Sequence, residues 1–110
     1  MPELRLTKQY NKLRQTMFPV IRVFSPNNPK MYEHGTTYSI LINGVRVIDT
    51  KLIAVNLCKM NDLSEELVML DSEVKKEVFI NKYKDRYNTD TIMAVLILVR
   101  KDYGYQTEKE

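Results

Sequence analysis

The sequence predicts an α+β domain, a small mixed β-barrel that is only partly closed and has its helices packed outside. One ground is Asn43-Gly44, which sits between two apolar-rich runs and suits a two-residue hairpin turn. A second is a pair of segments, "KLIAVNLCKM" and "TIMAVLILV", that are apolar on both faces, as strands inside a sheet are. The third is the stretch between them, where capping residues and helical spacing group the helices apart from the strands. A chain of 110 residues fits one domain with one core, here assigned to 1–102, with 103–110 as a polar tail. At 44% apolar residues, wholesale disorder is excluded.

Glu3 to Leu6 reads as a short strand. Thr7 is then placed to cap a helix running to about Gln15, with Tyr10, Leu13 and Met17 facing the core. Pro19 stops that helix, and Val20 to Phe24 follow as a strand in which Arg22 faces away from Ile21 and Val23. "SPNNPKMYEHG", from Ser25 to Gly35, is a loop. Tyr38–Ile42 pairs with Val45–Ile48 in a hairpin, and a separate third strand starts near Lys51 and occupies the sheet's centre. Asp62 with Glu65 forms a capping-box variant for a helix over about 63–70. Asp71 or Ser72 caps a second helix that continues to about Tyr87, with Val78, Phe79 and Tyr83 as its apolar stripe and Asn88 as its stop. Thr91 to Val99 closes the core.

Net charge is +3, and its distribution is uneven. Residues 1–30 hold six Lys or Arg and one Glu, whereas 61–87 hold seven acids and five bases. The cationic excess therefore belongs to the N-terminal quarter, which points to an anionic partner such as a phosphate backbone. Lys8 and Lys12 lie four apart and share a face of the expected helix, with Arg14 flanking them and Arg22 on the next strand. Lys30 and Tyr32, on the long loop, are placed to close over a bound strand. Exposed tyrosines beside cations can stack on bases, and Tyr10, Tyr32, Tyr38, Tyr103 and Tyr105 are the candidates. The bland reading of the same residues is a solvated helix face and half-buried core tyrosines.

Most catalytic signatures are missing. Gly35, Gly44 and Gly104 are isolated, so no phosphate-cradling glycine loop exists. His34 is a lone loop histidine with no marked partner, and Cys58 reads as a small buried hydrophobe. One His and one Cys make a zinc site improbable, and no disulfide can form within the chain. The acids Asp62, Glu65, Glu66, Asp71, Glu73 and Glu77 are assigned to helix capping and solvation. No cofactor, metal or membrane partner is expected, and the expected location is cytoplasmic.

"LRLTKQYNKLRQTMFPVIR" resembles the start of ASCH domains, members of the PUA-like superfamily, in Tyr10, Leu13 and Ile21-Arg22. "GTTYSILING", "KLIAVNLCKMNDLSEELVMLD" and "SEVKKEVFINKYKDRYNTDTIMAVLIL" resemble that family's hairpin, acidic helix, second helix and closing strand. The resemblance covers roughly Leu4 to Arg100. It implies a PUA-like barrel with a cleft beside the first helix, and RNA or nucleotide binding. The family's motif is Gly-x-Lys-x-x-Glu/Thr-x-Arg, against which this chain has Gln15, Met17, Val20 and Arg22. Some relatives hydrolyse acylated cytidine with the motif's Lys and Thr. Met17 and Val20 offer neither an amine nor a hydroxyl, so the resemblance favours a binding module over an enzyme.

The leading expectation is a small RNA-binding domain that contacts RNA through Lys8, Tyr10, Lys12, Arg14, Arg22, Lys30 and Tyr32. The alternatives are a nucleotide- or RNA-processing hydrolase using Glu33 or Glu66 with a nearby Lys, and a protein-protein adaptor using the "PKMYEHG" loop.

Overall fold

The computed structural model describes residues 2–25 and 32–101. Its strands are β1 (Glu3–Leu6), β2 (Met17–Val23), β3 (Thr37–Ile42), β4 (Val45–Lys59) and β5 (Ile92–Arg100). Two helices, α1 (Glu65–Ser72) and α2 (Lys76–Tyr83), and two 3-10 turns, Asn11–Arg14 and Met60–Asp62, complete the described elements. The strands form one sheet in the order β1-β3-β4-β5-β2. β1 runs parallel to β3, and the other neighbours are antiparallel.

β4 holds the centre, as its two-sided apolar pattern requires. It changes partner along its length: Val45 to Lys51 pair with β3, and Thr50 to Lys59 pair with β5. Register shifts opposite Ile40/Leu41 and between Leu52 and Ala54 mark two irregularities in this one strand. Bulges of this kind bend a strand and increase its twist, and here they accompany the curl of the sheet into a half-barrel. The β3–β4 turn has Asn43 at φ 51° and Gly44 at φ 82°, the paired positive φ values of the predicted turn.

Side-chain alternation then divides the core in two. Leu4, Leu6, Phe18, Val20, Tyr38, Ile40, Leu52, Ala94, Leu96 and Leu98 fill the concave side, with Leu13. Ile21, Met93 and Val95 face the convex side, where Met60, Leu63, Val68 of α1 and Phe79 of α2 cover them. β5 is thus buried on both faces, which explains its unbroken apolar run.

Several expectations shift. No α-helix spans 7–15; only the 3-10 turn Asn11–Arg14 forms, and Thr7 caps nothing there. Pro19 lies inside β2 rather than before it, because β2 is an edge strand and its missing N–H faces no neighbour. The hairpin's return strand and the expected third strand are one continuous β4. α1 is capped by the Ser64 hydroxyl, which accepts from the Leu67 N–H at 3.0 Å, and not by Asp62. Asp71 sits within α1 and α2 ends at Tyr83, four residues short of Tyr87. Val78, assigned to the apolar stripe, is exposed, while Phe79 is buried. Met17 is exposed as well. The tail from 102 on lies outside the described residues.

Candidate functional site

The geometry of the site starts from the open edge of β2. Among the described residues only β5 pairs with this strand, and the backbone groups of Pro19 and Ile21 find other partners. Pro19 C=O accepts from Lys12 Nζ at 3.0 Å. Ile21 N–H donates to Asp71 Oδ1 at 3.2 Å, and Ile21 C=O accepts from Arg22 Nη1 at 3.2 Å. Lys12 Nζ also meets Asp71 Oδ1 at 2.5 Å, and Ser72 Oγ donates to Asp71 Oδ2. Beside this pair, Glu73 in the left-handed region at φ 60° accepts the Asn11 N–H at 2.6 Å. The 3-10 turn is therefore clamped to the end of α1. Acids expected only to cap their own helices instead tie separate elements together; Glu65 likewise accepts the Lys76 N–H that opens α2.

Lys12 is 5% exposed. Burial pushes its pKa below the ordinary lysine value, and Asp71 pulls it back. Its charge is neutralised inside the protein, which leaves it unavailable to an external phosphate.

Arg22 follows Phe18 and Val20 on the concave face of β2 and emerges at its rim. Its Nη2 donates to Arg5 C=O at 2.9 Å. One guanidinium thus bridges β1 and β2, the two ends of the curled sheet. It lines a cleft of roughly 520 Å³ with Glu3, Arg5, Tyr32, Glu33 and Tyr38. The rings of Tyr32 and Tyr38 lie 6.5 Å apart with planes at 53°. Burial raises both hydroxyl pKa values, and Arg22 draws that of Tyr32 partly back. Arg5 and Glu3 pair at 3.2 Å across an exposed surface. Among the described lining residues two arginines face two carboxylates, so the cleft offers hydrogen-bond donors, acceptors and aromatic surface with balanced charge.

The sequence-predicted residues divide accordingly. Arg22 and Tyr32 share the cleft. Lys8 and Lys12 both approach the Tyr10 ring, with Nζ 4.9 Å and 5.2 Å from its centroid. They meet there without a helix face to share. Arg14 is exposed at the end of the 3-10 turn, and Lys30 lies outside the described residues. Of the expected adaptor loop, residues 29–31 lie outside them too, while Tyr32 to Gly35 are described. Sequence reasoning passed over Glu3 and Arg5 as binding groups, named Glu33 only for the hydrolase alternative, and gave Asp71 only a capping role. Alternation in "ELRL" places Glu3 and Arg5 opposite the buried Leu4 and Leu6, but nothing in the sequence brings β1 beside β2.

Chemistry beyond binding finds few groups. Among the described residues, the cations lining the cleft are the guanidiniums of Arg5 and Arg22, and Glu66 is not part of the lining. His34 is exposed in a turn. Burial pushes the Cys58 thiol up, away from thiolate reactivity. Among the described residues no group of three or more His, Cys, Asp or Glu side chains is placed to hold a metal ion. None of their helices is long and apolar enough to cross a membrane.

No family model matches the chain, and no curated protein does. Solved structures do. An ASCH domain from Lactobacillus crispatus JV V101 superposes with a TM-score of 0.62 at 12% identity, over 90% of this chain and 79% of that one. A DUF984 protein, EF3133 from Enterococcus faecalis V583, gives 0.57 at 10% identity, over 76% of this chain and 63% of that one. At these identities the likeness establishes the fold alone: this chain has an ASCH-like α+β half-barrel.

Proposed function

We propose that this ASCH-like chain is a small RNA-binding domain that takes an unstacked base of a single strand into the cleft between β1 and β2. The observation that supports this most is the meeting of Arg22 and Tyr32 in one cleft of roughly 520 Å³. Tyr32 presents an aromatic face for stacking, and Glu3 and Glu33 offer acceptors for base amino groups or a 2′-hydroxyl. Arg22, Arg5 and Lys8 are the phosphate contacts, because charge-assisted arginine–phosphate bonds are strong and directional. Lys12 leaves the contact set, since it is buried against Asp71. Three phosphate contacts make the affinity modest, with a salt slope of about 2 on single strands, at roughly 0.7 per phosphate. Hydrolysis of the kind known among ASCH relatives has no support here. Val20 is buried in the concave core, and Met17 is exposed beside α1 in a different groove.

Fluorescence anisotropy with labelled single-stranded RNA, duplex RNA and matched DNA at two salt concentrations tests the reading. Single-stranded RNA is expected to bind best, with affinity falling as salt rises. Tyr32→Ala should weaken binding about tenfold, the scale of one lost base–aromatic stack. Arg22→Lys keeps the charge and loses the forked geometry, and should weaken binding without unfolding the barrel. Wild-type affinity in both variants would overturn the proposed site.

A further inference from the structure

The first cleft has base-sized space, and its described lining balances two arginines against two carboxylates, so an RNA strand seated there gains from cations beyond its own three phosphate contacts. A second cleft, of about 480 Å³, opens just past the end of α2 and is lined in part by Lys84, Arg86, Tyr87 and Asn88. Three cations, Lys82, Lys84 and Arg86, fall within five residues there, with Asp85 as the one acid among them. The nearby Asp90 lies 3.9 Å from Lys59. Folding does not require this arrangement, because all three cations are exposed.

An aromatic ladder supports the cleft. Phe79 is anchored in the convex core, Tyr83 lies 5.0 Å from it, and Tyr87 lies 6.1 Å from Tyr83. Tyr87 ends the ladder 37% exposed, a large aromatic face held by a buried one. Tyr83 also links the two clefts. It packs against the convex cluster that contains Ile21, the β2 neighbour of Arg22, and its ring lies tilted against that of Tyr87 on the other side. Burial raises its hydroxyl pKa and Arg22 draws it partly back, in keeping with that position.

From this geometry we infer that single-stranded RNA seated in the first cleft continues past Tyr83 into the second, where Tyr87 stacks a base and Lys84 and Arg86 hold phosphates. The inference rests on the RNA-binding reading and extends it to the segment just past the end of α2. Aromatic platforms interleaved with cations are the usual means of holding a single strand without reading its sequence.

The test is an anisotropy series with oligouridylates of about four and about twelve nucleotides, bracketing one-cleft and two-cleft occupancy. Wild type should bind the long oligomer at least about tenfold more tightly than the short one, as one added stack and its phosphates provide. Lys84→Ala/Arg86→Ala should erase that difference and lower the salt slope on the long oligomer by about 1.4, at roughly 0.7 per phosphate. Tyr87→Ala should weaken only long-oligomer binding, and Tyr87→Phe, which keeps the ring, should restore it. Circular dichroism confirms that each variant is folded. If the Lys84/Arg86 and Tyr87 variants keep the long-oligomer advantage while Tyr32→Ala loses binding at both lengths, the second cleft is refuted and the first stands. If wild type binds neither oligomer at low salt, both are refuted.

Discussion

Asp71→Ala should be among the most damaging single substitutions in the domain, although Asp71 touches no part of either cleft. The carboxylate pairs with a lysine whose side chain is 3% exposed, and it accepts the Ile21 N–H on the open edge of β2. Removing it strands the Lys12 ammonium with Pro19 C=O as its remaining hydrogen-bond partner. Breaking one side of a buried pair costs about 3–5 kcal/mol. The orphaned Ile21 amide adds about 1–3 kcal/mol. Against a total stability of about 5–15 kcal/mol for a domain of this kind, that is a large fraction. Asp71→Asn keeps an acceptor oxygen at the same place and should cost less than Asp71→Ala. Urea unfolding followed by far-ultraviolet circular dichroism reads both. The alanine variant also has a pH signature. Without Asp71, the Lys12 pKa falls further below its unfolded value, so the unfolded chain binds more protons than the folded one and stability rises with pH. The deficit of Asp71→Ala should therefore narrow toward alkaline pH. A loss below about 1 kcal/mol, or a deficit that ignores pH, would refute the reasoning.

Tyr32, Tyr38 and Tyr83 have hydroxyl pKa values raised by burial, so their share of stability is complete below about pH 10 and is lost as pH rises through the folded values. Absorbance titration of the native protein should show these three ionising after the ordinary tyrosines; one uniform transition would count against their burial. Gly44→Ala places a β-carbon at φ 82° where no neighbouring atom crowds it, so its cost is backbone strain alone, about 1–2 kcal/mol by thermal or urea unfolding. A neutral result would mean that the turn is not the paired positive-φ type. Ser64→Ala removes the hydroxyl that caps α1 and should cost about 1 kcal/mol, whereas Asp62→Ala should cost little.

What the sequence shows well is local. Asn43-Gly44 specifies its turn through backbone sterics, and the run at 91–99 specifies a doubly buried strand, because both depend on neighbours in the chain. The helix expected over 7–15 fails for a tertiary reason. Lys12 and Asn11 meet Asp71 and Glu73, about sixty residues away, and those bonds favour a single 3-10 turn at that place. Pro19 reads as a breaker until β2 is known to be an edge strand, where a missing N–H is harmless. Of the candidate site, Arg22 and Tyr32 were visible as types in context. The partners that shape their cleft depend on sheet order, which joins β1 to β3 and leaves β2 at the opposite edge to curl back. The ladder from Phe79 to Tyr87 has helical spacing, but only the packing of Phe79 shows which tyrosine is left facing solvent.

The most direct measurement is a nitrogen–proton NMR titration of the protein with a short single-stranded RNA at low salt. Shifts concentrated on β1, on Arg22 and its β2 neighbours, and on Tyr32 to Tyr38 are expected, saturating at one strand per chain. An unchanged spectrum, or shifts confined to the hairpin tip around Val45 and Val47, would mean that the cleft between β1 and β2 does not hold RNA.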